Sequence, residues 1–577
     1  MMKSNRDVII LCRDRRPTMG VDKRTMEGLL VWGSHLKNRW LVKNPTAAAT
    51  ACTIKSKIEN NITLPEWMGG NRFGLFDLLN YVLNGRRYVH HPGSDPRFFD
   101  PLGIPTGTSI HLYDHLRKSG FNPVNIENLT PRRQEAADRL RQDPLAVVIS
   151  TTFFIDAAPI SRIIREIRAV NREVAVIIGG STLLTRLTPE GRLPTDYEAL
   201  IDNNGFAILE DPGLDRLGPL LSAIAEGSDP GAVPNIARRD NGRVVYSRGE
   251  CQTADFENIF PDWGAVADIT GGVAFVRASQ GCAFKCKFCT FPKANVKLRH
   301  RSTESIRREL RLVHDAGIRH FSFTDDHFSV SPQRVEEICR MIIAEKFSFT
   351  WYAGIRASSI TAENAELLEE AGCKVLSVGL ESGDDRVLKL MHKGTTTSGN
   401  MRCLEILDKR NILAHGSFMI GFPGETRETV ETTIRWINRS PLKLYKVWLF
   451  YLLPGSIVHD EQQAHQISFF GGEYSHCLWK TPTFDALSGS ELLKSFILRV
   501  ERAALLYNYS PMYGFFPFFL RGCTTEQVVD FCRMRTRLVK NELGTRSLLA
   551  RRRRRMTLLR QLEQMLEGVA PAPEGRR

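Results

Sequence analysis

Three cysteines, Cys282, Cys286 and Cys289, fall in the short stretch GCAFKCKFCTFP (281–292). Thiolates this close together read as metal ligands. Structural zinc wants four protein ligands, commonly as two close pairs, and no second closely spaced Cys or His pair is present downstream. A 4Fe–4S cluster on three cysteines instead leaves one iron without a protein ligand, open to chelation by a small molecule. The spacing favours the cluster. The other cysteines (Cys12, Cys52, Cys251, Cys339, Cys373, Cys403, Cys477, Cys523, Cys532) are scattered and read as buried, inert thiols.

Hydrophobic patterning gives the elements that must hold this loop. DVIILC is an opening strand, TSIHLYDHLRKSG a helix closed by Gly120, and NPVNIENL a strand. LAVVISTTF, APISRIIREIRAVN, VAVIIGG, FAILED and LDRLGPLLSAIAEG then alternate strand and helix, which predicts a doubly wound parallel sheet over residues 1–250. Such sheets bind ligands at the carboxyl ends of their strands, here at Ser150, Thr151, Thr152, Gly179, Gly180 and Ser181. PNIARRDNGRVVYSRGE reads as a polar hinge. A second alternation starts at GVAFVRASQG and runs through RHFSFTDD, FTWYAGIR, KVLSVGLESG, ILAHGSFMIGFPGE and YKVWLFYL. Six parallel strands with outer helices predict a partial (β/α)6 barrel over 260–460, its chemistry at the strand C-termini. Beyond it, 461–577 reads as mostly helical, from ELLKSFILRVERAALL through TEQVVDFCRMRTRLVKNEL to RSLLARRRRRMTLLRQLEQMLEG, with a disordered APAPEGRR end.

Bulk properties narrow the function classes. At 577 residues the chain exceeds one core, and 42% hydrophobic with 25% charged residues is a globular composition. No apolar run reaches the length of a membrane span, and VIILC is too short for a signal peptide, so a cytoplasmic location is expected. Net charge is +14, but residues 533–577 hold 13 Lys and Arg against 4 Asp and Glu, leaving only +5 for the rest. The excess is a property of the tail around Arg551–Arg555 and reads as a solvated helical face rather than a nucleic-acid site.

CAFKCKFC matches the C-x3-C-x2-C signature of the radical S-adenosylmethionine (SAM) superfamily, and the barrel agrees with it. FTDD, GIRASS, GLESG and GSFMIGFPGE occupy, in order, the places of that superfamily's SAM-binding motifs. The resemblance implies that Asp325, or backbone beside it, accepts from the SAM ammonium and that Arg356 pairs with its carboxylate. It further implies that Glu381 and Ser382 bind the ribose hydroxyls, and that Gly421 and Gly424 let backbone approach the adenine. The amino-terminal sheet resembles the cobalamin-binding domain that precedes such barrels in one large branch. Within that branch VVISTTFF, VIIGGS, FTDDHFSV, GLESGDDRVLKLMHKG, MIGFPGETRETVETT and GGEYSHCLWKTPT are most similar to the P-methyltransferases of phosphinothricin-type pathways. Two departures stand out. No Asp-x-His-x-x-Gly motif is present, which implies cobalamin bound base-off without histidine, and Glu210-Asp211-Pro212-Gly213 replaces the usual Gly-Glu-Gly-Glu turn.

The expectation is therefore a cobalamin-dependent radical SAM methyltransferase acting on a non-nucleophilic carbon or phosphorus of a small-molecule or peptide natural-product intermediate. Its cofactors would be a 4Fe–4S cluster, SAM and cobalamin, with an external electron donor such as flavodoxin or ferredoxin. A cobalamin-using rearrangement or ring contraction without methyl transfer is the alternative, and an RNA-directed enzyme a third class supported by the arginine run alone. Trp351, Trp448, Tyr451 and Trp479 are either core or the lining of a substrate pocket.

Overall fold

The structure, a computed structural model, describes residues 6–11, 75–85, 97–99, 104–126, 132–152, 154, 157–210, 213–250, 255–290, 298–328, 330–469, 479–506, 514–545 and 547–569. Cys12, Cys52, Cys251, the whole of GGEYSHC with Cys477, and the APAPEGRR end lie outside the described residues. The chain divides into two compact units, one drawn from Met1–Thr18 and Ile104–Gly271, the other from Met19–Gly103 and Gly272–Arg577.

In the first unit the strands β1 (Asp7–Leu11), β2 (Asn122–Asn125), β3 (Ala146–Ser150), β4 (Ala175–Gly179), β5 (Gly205–Ile208), β6 (Ile236–Asp240) and β7 (Arg243–Ser247) form one sheet. Its order is β2-β1-β3-β4-β5-β6-β7, with the first five strands parallel. Alternate residues feed two cores, as strand geometry requires. Val148 and Ile177 pack with Leu116, Leu217 and Leu220 on one face. Val147 and Ile178 pack with Ile160, Ile163 and Ile167 on the other. The sheet is doubly wound.

The polar segment expected to be a hinge is instead an antiparallel hairpin, β6–β7, that extends the sheet. Asn241 and Gly242 both sit at positive φ (46° and 78°), the geometry of a two-residue hairpin turn, and Asn-Gly between alternating residues is the signal for it.

The second unit holds a sheet of seven parallel strands in the order β8-β11-β12-β13-β14-β15-β18. These are β8 (Val273–Val276), β11 (His320–Phe323), β12 (Thr350–Ile355), β13 (Cys373–Glu381), β14 (Leu413–Ile420), β15 (Leu444–Leu449) and β18 (Ala504–Leu505). Two short antiparallel pairs accompany it, β9 (Ser279–Gln280) with β10 (Arg299–His300) and β16 (Ser468–Phe469) with β17 (Trp479–Lys480). The six expected barrel strands are present, and β18 is an addition. The segment ELLKSFILRVERAALL, expected as one helix, is instead a helix over Ala486–Arg499 followed by β18. Ala504 N–H donates to the Lys443 carbonyl and Leu506 N–H to that of Tyr445, so the free edge of β15 captures these residues as strand.

Burial alternates along β12 to β15. Ala353, Ile355, Leu376, Val378, Leu380, Phe418, Ile420, Val447 and Leu449 are buried; Phe418 meets Trp436 and Phe496 of the outer helices. Gly354, Ser377, Gly379, Ser417, Met419 and Trp448, pointing the other way, are only half-buried. The inner face is thus polar and reachable. At its other end Phe515 stacks on Tyr352 and His415 and closes a floor.

The basic segment forms the helix Leu548–Leu566. It docks through Leu559, Leu562 and Leu566, all buried, while Arg552, Arg553 and Arg554 are exposed. Leu562→Ala should therefore lower stability by about 2–5 kcal/mol, whereas alanine at Arg552, Arg553 or Arg554 should change it by no more than about 0.5 kcal/mol each. Urea unfolding of the variants checks this ordering; equal effects would contradict it.

Candidate active site

The cysteine loop leaves β8 at the edge of the sheet and is held by the ends of neighbouring strands. Asp325, just past β11, accepts from Ala278 N–H (3.1 Å) and from the Ser279 hydroxyl (2.6 Å). Asp326 accepts from Gly281 N–H (2.8 Å), and Gly281 itself turns at φ +85°, where glycine is strongly favoured. Burial pushes the Asp325 carboxyl up to about 6, against the lowering effect of the hydrogen bonds it accepts. Further along, Lys287 N–H donates to the Met391 carbonyl, and the Lys287 carbonyl accepts from Val458 N–H. Phe284 lies under the Arg356 guanidinium, 3.6 Å from ring centroid to Cζ, and meets His327 edge-on at 5.3 Å.

Cys286 is buried and Cys282 and Cys289 are half-buried. Arg356 Nη1 donates to the Cys286 sulfur at 3.6 Å, and Nη2 donates to the Lys393 carbonyl. Lys393 in turn pairs with Glu381 at 2.8 Å, both side chains buried. The Arg356 guanidinium beside the loop favours an anionic group held by it, while the Lys393 charge is matched by Glu381. Burial, then Arg356 and Lys393, bring His327 down to about 4, so it is neutral. Among the described residues no three His, Cys, Asp or Glu side chains converge as they would around one metal ion. The thiolates of a cluster bind different irons and need not share a point, so three cysteines at this spacing are compatible with a cluster.

The other residues expected at the site have varied placements. Glu381 sits at positive φ (61°), where the β13–β14 register shifts by a bulge, and joins the cysteine loop through Lys393 and Arg356. Ser382 turns inward: its hydroxyl meets Thr433 Oγ1 at 3.1 Å and accepts from Asp384 N–H. Gly421 (φ 91°) donates its N–H to Glu425 at 2.5 Å, and a Cβ there would stand 2.5 Å from the Trp479 ring. Leu390 covers Gly424 in the same way. Trp351 and Trp479 are fully buried core residues, each donating its indole N–H to a carbonyl. Lys393, His327 and Phe284 were missed by sequence reasoning. Each lies inside a motif, but nothing in its type or spacing marks it.

In the first unit the ends of β3 and β4 come together. Thr151 N–H donates to the Gly179 carbonyl (2.7 Å), Ser150 Oγ reaches Thr152 Oγ1 (3.2 Å), and Leu183 N–H donates to Thr151 Oγ1. Gly180 has φ 121°, and a Cβ on it would stand 3.0 Å from Thr152 Oγ1. Five of the six residues expected at this crest, Ser150, Thr151, Thr152, Gly179 and Gly180, are adjacent, with Thr152, Gly179 and Gly180 half-buried. At the end of β5, Glu210 is spent on a buried pair with Arg216 (2.6 Å) and on Asn235 (2.8 Å).

Glu425 yields a pH prediction. Its carboxyl is buried, and burial raises it from an ordinary 4.5 to about 8. The folded state therefore holds a proton that the unfolded chain has lost, so this group's contribution to stability declines as pH rises from about 4.5 to about 8. Glu425→Gln keeps an acceptor for Gly421 and removes that decline. The variant should gain on wild type in urea midpoint from pH 5 to pH 8; a difference constant with pH would contradict the assignment.

Residues 276–437 match the radical SAM superfamily family model. An uncharacterised methyltransferase of Pyrococcus horikoshii is 27% identical over 335 residues, covering 56% of this chain and 70% of the relative. A bacteriochlorophyllide d C-12(1)-methyltransferase of Chlorobaculum tepidum is 28% identical over 231 residues, 38% of this chain and about half (49%) of that one. Among solved structures, the radical SAM methyltransferase TsrM of Kitasatospora setae, with cobalamin and a [4Fe-4S] cluster bound, aligns at TM-score 0.55 and 18% identity over 80% of this chain and 96% of that one. With the three-cysteine loop on the first strand of a parallel barrel and a doubly wound sheet before it, residues 276–437 are similar to the radical SAM superfamily and the chain shares the fold of TsrM.

Proposed function

We propose that the protein is a cobalamin-dependent radical SAM methyltransferase that methylates a non-nucleophilic carbon or phosphorus of a small organic or peptide substrate. The observation that carries this reading is the three-thiol loop, fixed by carboxylates and cations at the mouth of a reachable polar lumen. The TsrM likeness and the methyltransferase relatives support it. When bound, the cluster and SAM supply a reactive radical, and cobalamin supplies methyl-group carriage.

The chain's own part is holding and exclusion. Cys282, Cys286 and Cys289 would hold the cluster. Arg356 fixes the Cys286 sulfur and sets a positive field around it. Neutral His327 and the ring of Phe284 keep that side of the loop dry. With its carboxylate engaged by Ala278 and Ser279, Asp325 acts by positioning the loop. Ser150, Thr151, Thr152, Gly179 and Gly180 form the crest that would receive cobalamin, where Gly180 lets the chain pass close to Thr152. A small one-electron carrier protein would supply electrons. The exposed Arg552–Arg554 face plays no part in the reaction.

After anaerobic reconstitution, the Cys282→Ala, Cys286→Ala, Cys289→Ala triple variant should lose the iron-dependent absorbance and all SAM cleavage. The wild type should pass a methyl group from deuteriomethyl-labelled SAM to its product. A full cluster in the triple variant would refute the ligand assignment. SAM cleavage with bound cobalamin but no labelled product would refute methyl transfer.

A further inference from the structure

The floor of the lumen contains chemistry that the cysteine loop does not use. His415, third in β14, is fully buried, and neither of its ring nitrogens has a hydrogen-bond partner among the described residues. Its ring lies beside those of Tyr352 (6.2 Å, 11°) and Phe515 (5.8 Å, 28°), which are 6.3 Å from each other. A neutral imidazole carries one donor and one acceptor, and leaving both unpaired in a core is costly. Such an orphan marks a place where something polar binds.

Room for it is visible in the same row of the sheet. Gly354, Ser377 and His415 are lateral neighbours on β12, β13 and β14. A Cβ on Gly354 would meet no atom of the described residues within 4 Å, and its φ is one that other residues adopt readily. Glycine here is not required by the backbone; it leaves space, as strand glycines do where a ligand approaches. One row nearer the cysteine loop, Ser417 is paired with Lys446, whose ammonium is buried 5.6 Å from the Trp448 ring. Half-buried Ser377, Ser417 and Met419 connect this space with the open end of the lumen.

Charge then selects the ligand. Lys446 is the cation of the floor. The titratable groups that face it are His415 from β14 and Cys532 from the helix Thr525–Gly544. Burial brings His415 well below its ordinary value and pushes the Cys532 thiol up to about 12, so both are neutral at pH 7. Burial also brings Lys446 down to about 7, and an anion beside it would hold its proton. An apolar ligand would leave His415 unsatisfied, and a cationic one would be repelled by Lys446.

We propose that this floor is an oxyanion site. It binds the carboxylate or phosphorus-oxyacid end of the substrate, with Lys446 as counter-charge, the His415 N–H as donor, and Tyr352 and Phe515 as apolar walls. The far end of an anchored molecule then points along Ser417 and Gly379 toward the strand ends that carry the cysteine loop. This deepens the function proposed above, resting on it only in taking the bound molecule as the substrate; binding itself needs no cluster, SAM or cobalamin.

Butyrate and dimethyl phosphate, monoanions over the range used, are titrated calorimetrically into the full-length chain from pH 6 to pH 9. Wild type should bind one equivalent of at least one of them, and the preferred probe tells carboxylate from phosphorus oxyacid. Affinity should fall about tenfold per pH unit once Lys446 is losing its proton. Lys446→Met should bind at least tenfold more weakly and without that pH dependence. Gly354→Val alters no charge and its Cβ meets no described atom within 4 Å, so it should fold with the wild-type melting temperature and still lose binding. Wild-type affinity in folded Gly354→Val, or no binding of either probe by wild type, would overturn the site. Oxyanion binding without labelled methyl in any product would refute the proposed function alone; methyl transfer without oxyanion binding would refute only the oxyanion site.

Discussion

The cysteine loop hangs from an edge strand, and that constraint shapes the rest of the site. β8 has a ladder partner only on its β11 side among the described residues, and the segment that leaves it pairs only through the two residues of β9 with β10. Two adjacent carboxylates after β11 add to that hold. Asp325 and Asp326 accept from the backbone at 278 and 281 and from the Ser279 hydroxyl, a turn before the first cysteine. Charge-assisted bonds of this kind are about twice as strong as neutral ones. They act where precision matters: an ångström of drift in the loop would move all three cysteines.

Much of this was legible in the sequence because it is periodic or local. Strand–helix alternation gave both sheets, and three cysteines at fixed spacing gave the loop. The features that escaped were either short or non-local. Asn241-Gly242 carried a hairpin signal, but the arginines and aspartate around it made the segment look like a linker. β18 is two residues long, too short for any pattern, and exists because β15 offers it an edge. The acidic residues of FTDD are visible as types, yet whether they face a ligand or a neighbouring loop depends on contacts some 45 residues away in sequence. His415 reads as one more residue in a mixed strand until its stacking partner arrives from a segment a hundred residues later.

Outer and inner faces of the second sheet answer to different demands. Outward residues such as Phe418 and Val447 must exclude water under the helices, and removing a buried side chain of that size costs several kcal/mol. Inward residues are released from that demand, and the chain places Ser377, Ser417 and Gly354 among them. Stability is carried on one side and recognition on the other, so the lumen can change its chemistry while the sheet keeps its core. Lys446 and His415 mark the limit of that freedom. They lie deep enough to be desolvated, so their charge states answer to whatever occupies the space beside them.

The same logic explains the strained turn at Glu381. A non-glycine residue at φ 61° and a buried ion pair each cost free energy, and a buried pair on its own is weak evidence for stability. Here the two are linked. The bulge ending β13 turns Glu381 onto Lys393, whose carbonyl accepts from Arg356, which reaches the Cys286 sulfur with its other nitrogen. Cutting the chain at Glu381 would leave a desolvated ammonium unpaired, a loss of about 3–5 kcal/mol for a broken buried pair. The strain is therefore retained for position rather than for stability. It couples the end of the fourth barrel strand to a thiol on the loop of the first.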